Sequence, residues 1–584
     1  MEQFKTDILI LGSGGAGLFA ALHAFKANPD LDITVASKGL LGKCGCTRMV
    51  QGGYNVALNP GDSVERHFMD TIEGGKWLPH QELAWTLVTT AIERVRELEN
   101  EIGCFFDRNP DGTLHGKAFA GQTFDRTVHK GDLTGIEIIN RLMEQVWARP
   151  IQRLEEHRAV ALVPSSDGAM AGVLFIDIRT GAFRFVNAKA VLLATGGGPT
   201  MYRFHTPSGD KTMDGLAMAL RLGLPLRDME MVQFHPTGLL AGPDTRMTGT
   251  VLEEGLRGSG GHLLNGAMHR FMGDYDPKLE RATRDVVSRA IYAEMKAGRT
   301  TRNGGVYIKM DHLGPAIVAK QFKGMVDRCR DCGFDLAGGL VEVVPTAHYF
   351  MGGVICDVET QTERFGLFVA GEDASGMHGA NRLGGNGVAN STVFGGISGE
   401  VMARWIAKNP DHRTPDRNVL DAELARAQHP FSHKPGDLNA LRETLLDTMW
   451  DEVGVVRDRA GVERGIAAVD GIEKELLATG VAGDDRRFNL TWHDWLNLRS
   501  LCEVSRVIAF AALRRENSRG AHFRSDFPEP GDLATSTFTV ARQNAGTGAG
   551  GIEITERPVE FTHVKPGEYL KPGETILRDR VAAE

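Results

Sequence analysis

The order of apolar and polar positions changes character along the chain, and each change predicts an element. Asp7-Ile-Leu-Ile-Leu is a short continuous apolar run, the pattern of a strand buried on both faces, and it leads directly into a glycine-rich turn, Gly12-Ser-Gly-Gly-Ala-Gly17. Leu18 to Ala27 follows with helical spacing, and Leu31 to Ala36 reads as a second strand. Ala190-Val-Leu-Leu-Ala-Thr-Gly-Gly and Gly366-Leu-Phe-Val-Ala-Gly-Glu are again apolar runs that end in glycine, so they predict two further buried parallel strands far away in sequence. Residues 81–101 predict an amphipathic helix, and 438–450 and 496–516 have helical spacing with many charges, as in a bundle. From about Leu240 to Val344 the charge rises and the patterns are mixed, while the tail after Pro530 is rich in glycine, threonine and proline and reads as extended. These patterns predict an α/β fold. A discontinuous Rossmann-like domain spans 1–239 and 345–408, an inserted α+β capping domain 240–344, a helical domain 409–530 and a tail 531–584.

The glycine turn carries the first candidate chemistry. In a strand–turn–helix unit Gly12 permits the turn, Gly14 lets a pyrophosphate approach the backbone, and Gly17 lets the helix pack close to the strand. The helix start then presents free N–H groups to phosphate. A lone Gly-x-Gly-x-x-Gly is a weak signal among 71 glycines, but this one has a strand before it and a helix after it, so a dinucleotide site is expected. The acidic residue that usually grips a ribose about 20 positions on is missing, because the second strand ends in Ser37-Lys38. A plain NAD site is therefore disfavoured. The polar loop Gly42-Lys-Cys-Gly-Cys-Thr-Arg and the following Gln51-Gly-Gly-Tyr-Asn are placed to wrap a cofactor lying across the sheet edge.

Composition narrows the class. With 584 residues, roughly three or four domain-sized units are expected. A net charge of −9 speaks against nucleic acid as a partner. No uncharged apolar stretch reaches the roughly 18 residues needed to cross a bilayer, and Met1-Glu-Gln-Phe-Lys-Thr has no apolar leader core, so a soluble, cytoplasmic chain is expected. The seven cysteines, at 44, 46, 104, 329, 332, 356 and 502, lack the second pair or nearby histidines of a zinc or iron–sulfur site, and no metal is expected. Electrons that leave the cofactor would have to enter another chain.

Specific motifs then accumulate. Besides Gly12 to Gly17 there are Ala194-Thr-Gly-Gly, Gln233-Phe-His-Pro-Thr-Gly and Arg284-Asp-Val-Val-Ser-Arg. Ala347-His-Tyr-Phe-Met-Gly-Gly, His378-Gly-Ala-Asn-Arg-Leu-Gly-Gly-Asn and Glu516-Asn-Ser-Arg-Gly-Ala-His follow. In this order, from residue 7 to about 530, the chain resembles the flavoprotein subunits of succinate dehydrogenase and fumarate reductase, a superfamily that includes L-aspartate oxidase and soluble fumarate reductases. The resemblance implies FAD, and it implies contacts from Gly12, Ser13, Gly14, Gly15, Ala16 and Gly17, then Ser37, Lys38 and Gly39. Further implied positions are Cys46, Thr47, Gln51, Gly52, Gly53, Thr195, Gly196, Gly197, Asp214, Glu372, Arg382, Asn386, Gly387 and Val388. In this family too the second strand ends in Ser-Lys.

His235, His348 and Arg382 sit among glycines, prolines and small polar residues, a setting that suits a pocket between domains and a dicarboxylate ligand. The resemblance implies that they hold substrate carboxylates. It also implies that Arg284 exchanges a proton with one substrate carbon while flavin N5 exchanges hydride with its neighbour, and that Glu254 and Arg257 relay the proton. An arginine with a pKa above about 12 can serve so only when desolvated and coupled to a resupplying relay. Two departures stand out. Cys46 occupies the position of the histidine that bonds covalently to flavin in the membrane-bound enzymes, so non-covalent FAD is expected. Glu253 stands where relatives place a threonine that bonds a substrate carboxylate. It turns away, or is protonated by burial, or the substrate carries an amine, hydroxyl or neutral group there.

The implied activity is interconversion of the C2–C3 single and double bond of a small dicarboxylate, with electrons exchanged with an iron–sulfur subunit. The helical region 438–516 offers such a partner a surface, and any membrane attachment would be peripheral, through partners, at the cytoplasmic face. The alternative is an amino-acid oxidase of the L-aspartate oxidase type, reoxidised by oxygen or fumarate, in which Glu253 meets the substrate ammonium. A flavin-binding subunit that has lost catalysis would be expected to lack Arg284, which is retained.

Overall fold

The computed structural model describes residues 1–243, 245–544 and 551–573. Strand β1 (Glu2–Leu11), helix α1 (Gly15–Ala27) and strand β2 (Ile33–Ala36) form the expected opening unit. β1 lies between β2 and Phe183–Leu193, parallel to both, and Leu367–Val369 adds a further parallel strand beside Phe183–Leu193. The glycine-terminated apolar runs near 190 and 366 thus join one sheet, which reaches seven strands with Gln152–Leu154 and an antiparallel pair, His157–Pro164 and Met170–Asp177. Such strands need apolar residues on both faces, and Ile8, Leu9, Ile10, Val191, Leu192 and Leu193 are all fully buried. α1 packs on this sheet beside the helix Asn386–Lys408, where a Cβ on Gly395 or Gly399 would strike the α1 backbone.

A second, separate core is built by residues between Leu239 and Val343, under a four-stranded antiparallel sheet of Val232–Leu239, Leu340–Phe350, Val306–Lys309 and His262–Leu264. Its two longest strands are the ones by which the chain leaves the dinucleotide fold and returns. The helices Arg417–Gln428, Leu438–Glu452, Arg459–Ala478 and Leu490–Arg514 follow. The tail is not merely extended. Thr537–Gln543 and Ile552–Pro558 pair antiparallel, and the first of them docks on Leu226–Arg227 of the dinucleotide fold, while residues 545–550 and 574–584 of the expected tail lie outside the described residues. Among the described residues no helix is long and apolar enough to cross a membrane, and no group of three or more His, Cys, Asp or Glu is placed to hold a metal ion.

Candidate active site

Two cavities, of about 480 and 70 Å³, meet at the carboxyl ends of the parallel strands, sharing Gly14, Gly45, Thr195, Gly196 and Lys211 in their walls. This edge is where open parallel sheets bind ligands, because the loops that follow the strands splay apart there. The three fingerprint glycines divide the work. Gly12 has φ +114°, and a Cβ on it would lie 2.0 Å from the Ala194 carbonyl oxygen. A Cβ on Gly17 would lie 2.0 Å from the Gly12 carbonyl oxygen, so this glycine seats α1 against β1. At Gly14 the nearest atom to a Cβ would be Thr47 Oγ1 at 3.5 Å, which leaves the backbone open to a ligand. The α1 start has no side-chain cap, and Gly15 N–H donates to Thr47 Oγ1 at 3.0 Å.

Gly12, Ser13, Ser37, Lys38, Gly197 and Asp214 line the smaller cavity. Ser13 Oγ donates to Ser37 Oγ at 3.1 Å. Lys38 and Asp214 pair at 2.9 Å, and Asp214 also takes Arg158 at 2.7 Å and Ser500 at 3.0 Å. Burial works against the Asp214 charge, but Arg158 and Lys38 outweigh it and hold the carboxyl far below its ordinary range. Gly15, Ala16, Cys46, Thr47, Gln51, Gly52, Gly53, Glu372, Gly387 and Val388 line the larger cavity. Gln51 Oε1 is buried there without a partner, and burial pushes the Glu372 carboxyl up to about 7. Burial also pushes the Cys46 thiol up to about 12. Gly17, Gly39 and Asn386 lie behind the walls. Asn386 is fully buried, accepting from Asn55 at 2.8 Å and donating to Thr71 at 3.1 Å, so it braces the start of its helix. A glycine helix start, an open Gly14 and an orphaned amide oxygen along one trench fit a long dinucleotide.

The far end of the larger cavity gathers His235, Glu253, Glu254, Arg284, His348 and Arg382. Antiparallel pairing of Val232–Leu239 with Leu340–Phe350 puts His235 opposite Thr346, and the rings of His235 and His348 stand 5.3 Å apart. Burial, and then the Arg284 charge, hold both imidazoles well below their usual range, so they are neutral donors and acceptors. His348 Nδ1 meets Thr206 Oγ1 at 2.8 Å. The Arg382 guanidinium lies over the Tyr349 ring at 4.3 Å, and burial, reinforced by Arg284, lowers it to about 10.

Arg284 opens the helix Arg284–Lys296 and spends its donors inward. Nε and Nη2 donate to Glu254 Oε2 at 2.9 and 2.5 Å, and Nη1 donates to Gln233 Oε1 at 3.1 Å. Arg257, which lies outside the wall, reaches Glu254 Oε1 at 3.5 Å. Burial alone would raise the Glu254 carboxyl, but Arg284 and Arg257 outweigh it and hold it below its ordinary range. Glu253 takes a different course. Its Oε1 accepts from Lys117 Nζ at 2.7 Å, and burial nevertheless leaves its carboxyl raised. A lysine partner was not among the readings open for this glutamate, which stands in the cavity wall with its Oε2 buried and unpartnered.

The FAD binding domain family matches residues 7–388, and the fumarate reductase flavoprotein C-terminal family matches residues 442–574. This chain belongs to the succinate dehydrogenase and fumarate reductase flavoprotein family. It is 39% identical to one subunit of the fumarate reductase (CoM/CoB) of Methanothermobacter marburgensis, over 90% of this chain and 95% of that one. It is 40% identical to an uncharacterized FAD-dependent oxidoreductase of Methanocaldococcus jannaschii, over 90% and 94% of the two chains. The solved flavoprotein of Escherichia coli quinol fumarate reductase, in a mutant form, superposes with a TM-score of 0.90 at 31% identity, covering 98% of this chain and 100% of that one. The chain is thus an FAD-dependent oxidoreductase of the succinate dehydrogenase and fumarate reductase type. Sequence reasoning overlooked three side chains in this flavoprotein. Gln233 was findable, since it sits two strand positions before His235 and so shares its face. Lys117 and Arg328 carry no such signal, being two among 66 lysines and arginines.

Proposed function

We propose that this flavoprotein interconverts the C2–C3 single and double bond of a small dicarboxylate of the succinate and fumarate kind. The carrying observation is the buried Arg284–Glu254–Arg257 line that ends in a cavity wall beside His235, His348 and Arg382. Bound in the trench lined by Gly14, Thr47, Gln51 and Glu372, FAD supplies hydride exchange with a substrate carbon. Arg284 supplies or takes the proton at the adjacent carbon. Its side chain is only 7% exposed, so water does not compete for that proton, and Glu254 lies in contact to replace it. Arg257 stands one group further from the cavity, in ion-pair contact with Glu254 at 3.5 Å, from where a small closing of that gap would extend the relay. Neutral His235 and His348 orient the substrate through N–H groups, and Arg382 holds a carboxylate through a charge-assisted bond.

The half-buried Cys46 thiol is pushed up by desolvation, which disfavours the thiolate that a thioether would need and so favours non-covalent FAD. Similarity to fumarate reductase subunits supports an iron–sulfur electron partner, and any membrane association would then be peripheral, through partner subunits. The amino-acid oxidase reading is weaker, since Lys117 already neutralises the carboxylate that would meet a substrate ammonium.

The test is anaerobic. The chemically reduced protein is mixed with fumarate and the flavin band near ~450 nm is followed, after which the protein is acid-precipitated. Rapid return of the band and flavin left in the supernatant are expected. A band that fumarate does not restore, in protein that still holds FAD, removes fumarate as substrate, and peroxide formed with an L-amino acid would establish the oxidase instead.

A further inference from the structure

A dicarboxylate brings two negative charges, and the residues assigned above offer one uncommitted positive charge. Arg284 is committed to Glu254, and Lys117 to Glu253. Both histidines are neutral donors. Arg382 remains, with no carboxylate within ion-pair distance among the described residues. The cavity wall contains three further cations, Arg48, Lys211 and Arg328. Arg48 and Lys211 bond to carbonyls of the cofactor-side loops, Gly42 and Thr195.

Arg328 is differently placed. It comes from the helix Lys323–Asp331 of the inserted unit, is half-buried, and its Nη1 donates to the Val251 carbonyl at 2.8 Å. Val251 stands two residues before Glu253 on the segment that carries Glu254 and Arg257, and its carbonyl also accepts from Gln51 Nε2 at 3.2 Å. Among the described residues no carboxylate lies within ion-pair distance of Arg328. A partly desolvated guanidinium that spends one donor on a carbonyl keeps the rest of its fork for an anion.

We propose that Arg328 is a specificity-determining residue that binds the second anionic group of the substrate, on the side of the cavity formed by the inserted unit. This rests on the dicarboxylate reading. It makes the substrate a dianion held between two arginines from opposite sides of the cavity, Arg382 from the dinucleotide fold and Arg328 from the inserted unit. The Val251 carbonyl, shared by Arg328 and Gln51, places that anion contact one residue away from the cofactor trench.

The test compares two ligands that differ by one charge, fumarate and monomethyl fumarate, on oxidised holoenzyme, in wild-type protein, Arg328→Gln and Arg328→Lys. Binding is read from the change in flavin absorbance, and turnover is measured separately with a chemical electron donor. Arg328→Gln is expected to retain FAD, to weaken fumarate binding roughly ten- to hundred-fold, and to leave monomethyl fumarate within about twofold. Arg328→Lys should recover part of the loss, since it keeps the charge without the planar fork. Equal losses for both ligands, or no loss for fumarate, overturn the proposal. Wild-type protein that binds fumarate in a charge-dependent way without reducing it would overturn the catalytic reading and leave this one standing, whereas wild-type protein that binds neither ligand overturns both.

Discussion

Glu254→Gln tests the relay most directly, because it preserves side-chain volume and removes one negative charge from between two guanidinium groups. Glu254 is 3% exposed and Arg257 is 1% exposed, so neither water nor salt can replace that charge. Removing one partner of a buried ion pair costs about 3–5 kcal/mol locally. Here part is recovered, since Arg284 keeps Gln233 at 3.1 Å and Arg257 keeps the Glu280 carbonyl at 2.8 Å. The functional loss is larger than the structural one. An amide cannot take and return a proton, so the general acid–base contribution of roughly 10²–10⁴-fold disappears from kcat. KM should stay within about threefold, because Arg382 and His348 make their contacts independently of Glu254. The assay is stopped-flow reoxidation of the reduced protein by fumarate, with the FAD-to-protein ratio measured in parallel. The acid limb supplies a second reading. The Glu254 carboxyl is held below its ordinary value of 4.5, so its ionised form stabilises the fold above that pH, and the contribution is lost as pH falls through the lowered value. Glu254→Gln should remove that part of the acid sensitivity. A variant that keeps FAD and turns over within threefold of wild type would refute the relay.

Two further outcomes follow from the same geometry. Gly14→Ala should fold normally and lose FAD affinity, whereas Gly17→Ala should fold poorly, because its Cβ would lie 2.0 Å from the Gly12 carbonyl oxygen; apo-protein thermal midpoints and FAD titration separate the two effects. Lys117→Met should destabilise by roughly 3–5 kcal/mol through the stranded Glu253 carboxylate, and adding Glu253→Gln should restore most of the loss in thermal denaturation; a double variant no better than the single one would show that the pair is not coupled.

What the sequence disclosed and what it hid have separate physical origins. The parallel strands at 183–193 and 367–369 were visible because a strand buried on both faces must be apolar throughout, and because the chain must turn on glycine where the backbone crowds a ligand. The family motifs likewise located Arg284, Glu254, His235, His348 and Arg382 in one wall. Interactions between residues far apart were not visible. Lys38 and Asp214 read as cofactor contacts, yet in space they also satisfy each other, together with Arg158 and Ser500 from two other regions. Asn386 was named for the cofactor, and the bonds of its buried side chain to Asn55 and Thr71 were likewise out of sight. The pairing of Glu253 joins residues 136 positions apart, and no periodicity in either segment announces it. The tail read as extended, but its docking did not show, because Thr537–Gln543 takes its register from the two-residue strand at 226–227, which is too brief to leave a pattern.

The placement of the site explains why an insertion can serve catalysis at all. Val232–Leu239 and Leu340–Phe350 are the two ties between the dinucleotide fold and the inserted core, and they carry Gln233, His235 and His348. Beyond the first tie come Glu254, Arg257, Arg284 and Arg328, all within the inserted unit, while Arg382, Glu372 and the glycine turns belong to the dinucleotide fold. Groups proposed to exchange a proton and groups proposed to hold the cofactor therefore come from different parts of the chain around one cavity, joined by a paired-strand ladder. Arg284 shows how tight that coupling is. Its helix belongs to the inserted unit, its Nη1 bonds Gln233 on a tie, and the carbonyl of Arg382 on the other side accepts from the same Gln233 at 2.7 Å. The proposed proton donor and the proposed carboxylate-binding arginine are thus bridged by one amide, bonded to the side chain of the first and to the backbone of the second, so that a shift of the inserted unit against the dinucleotide fold would strain those bonds.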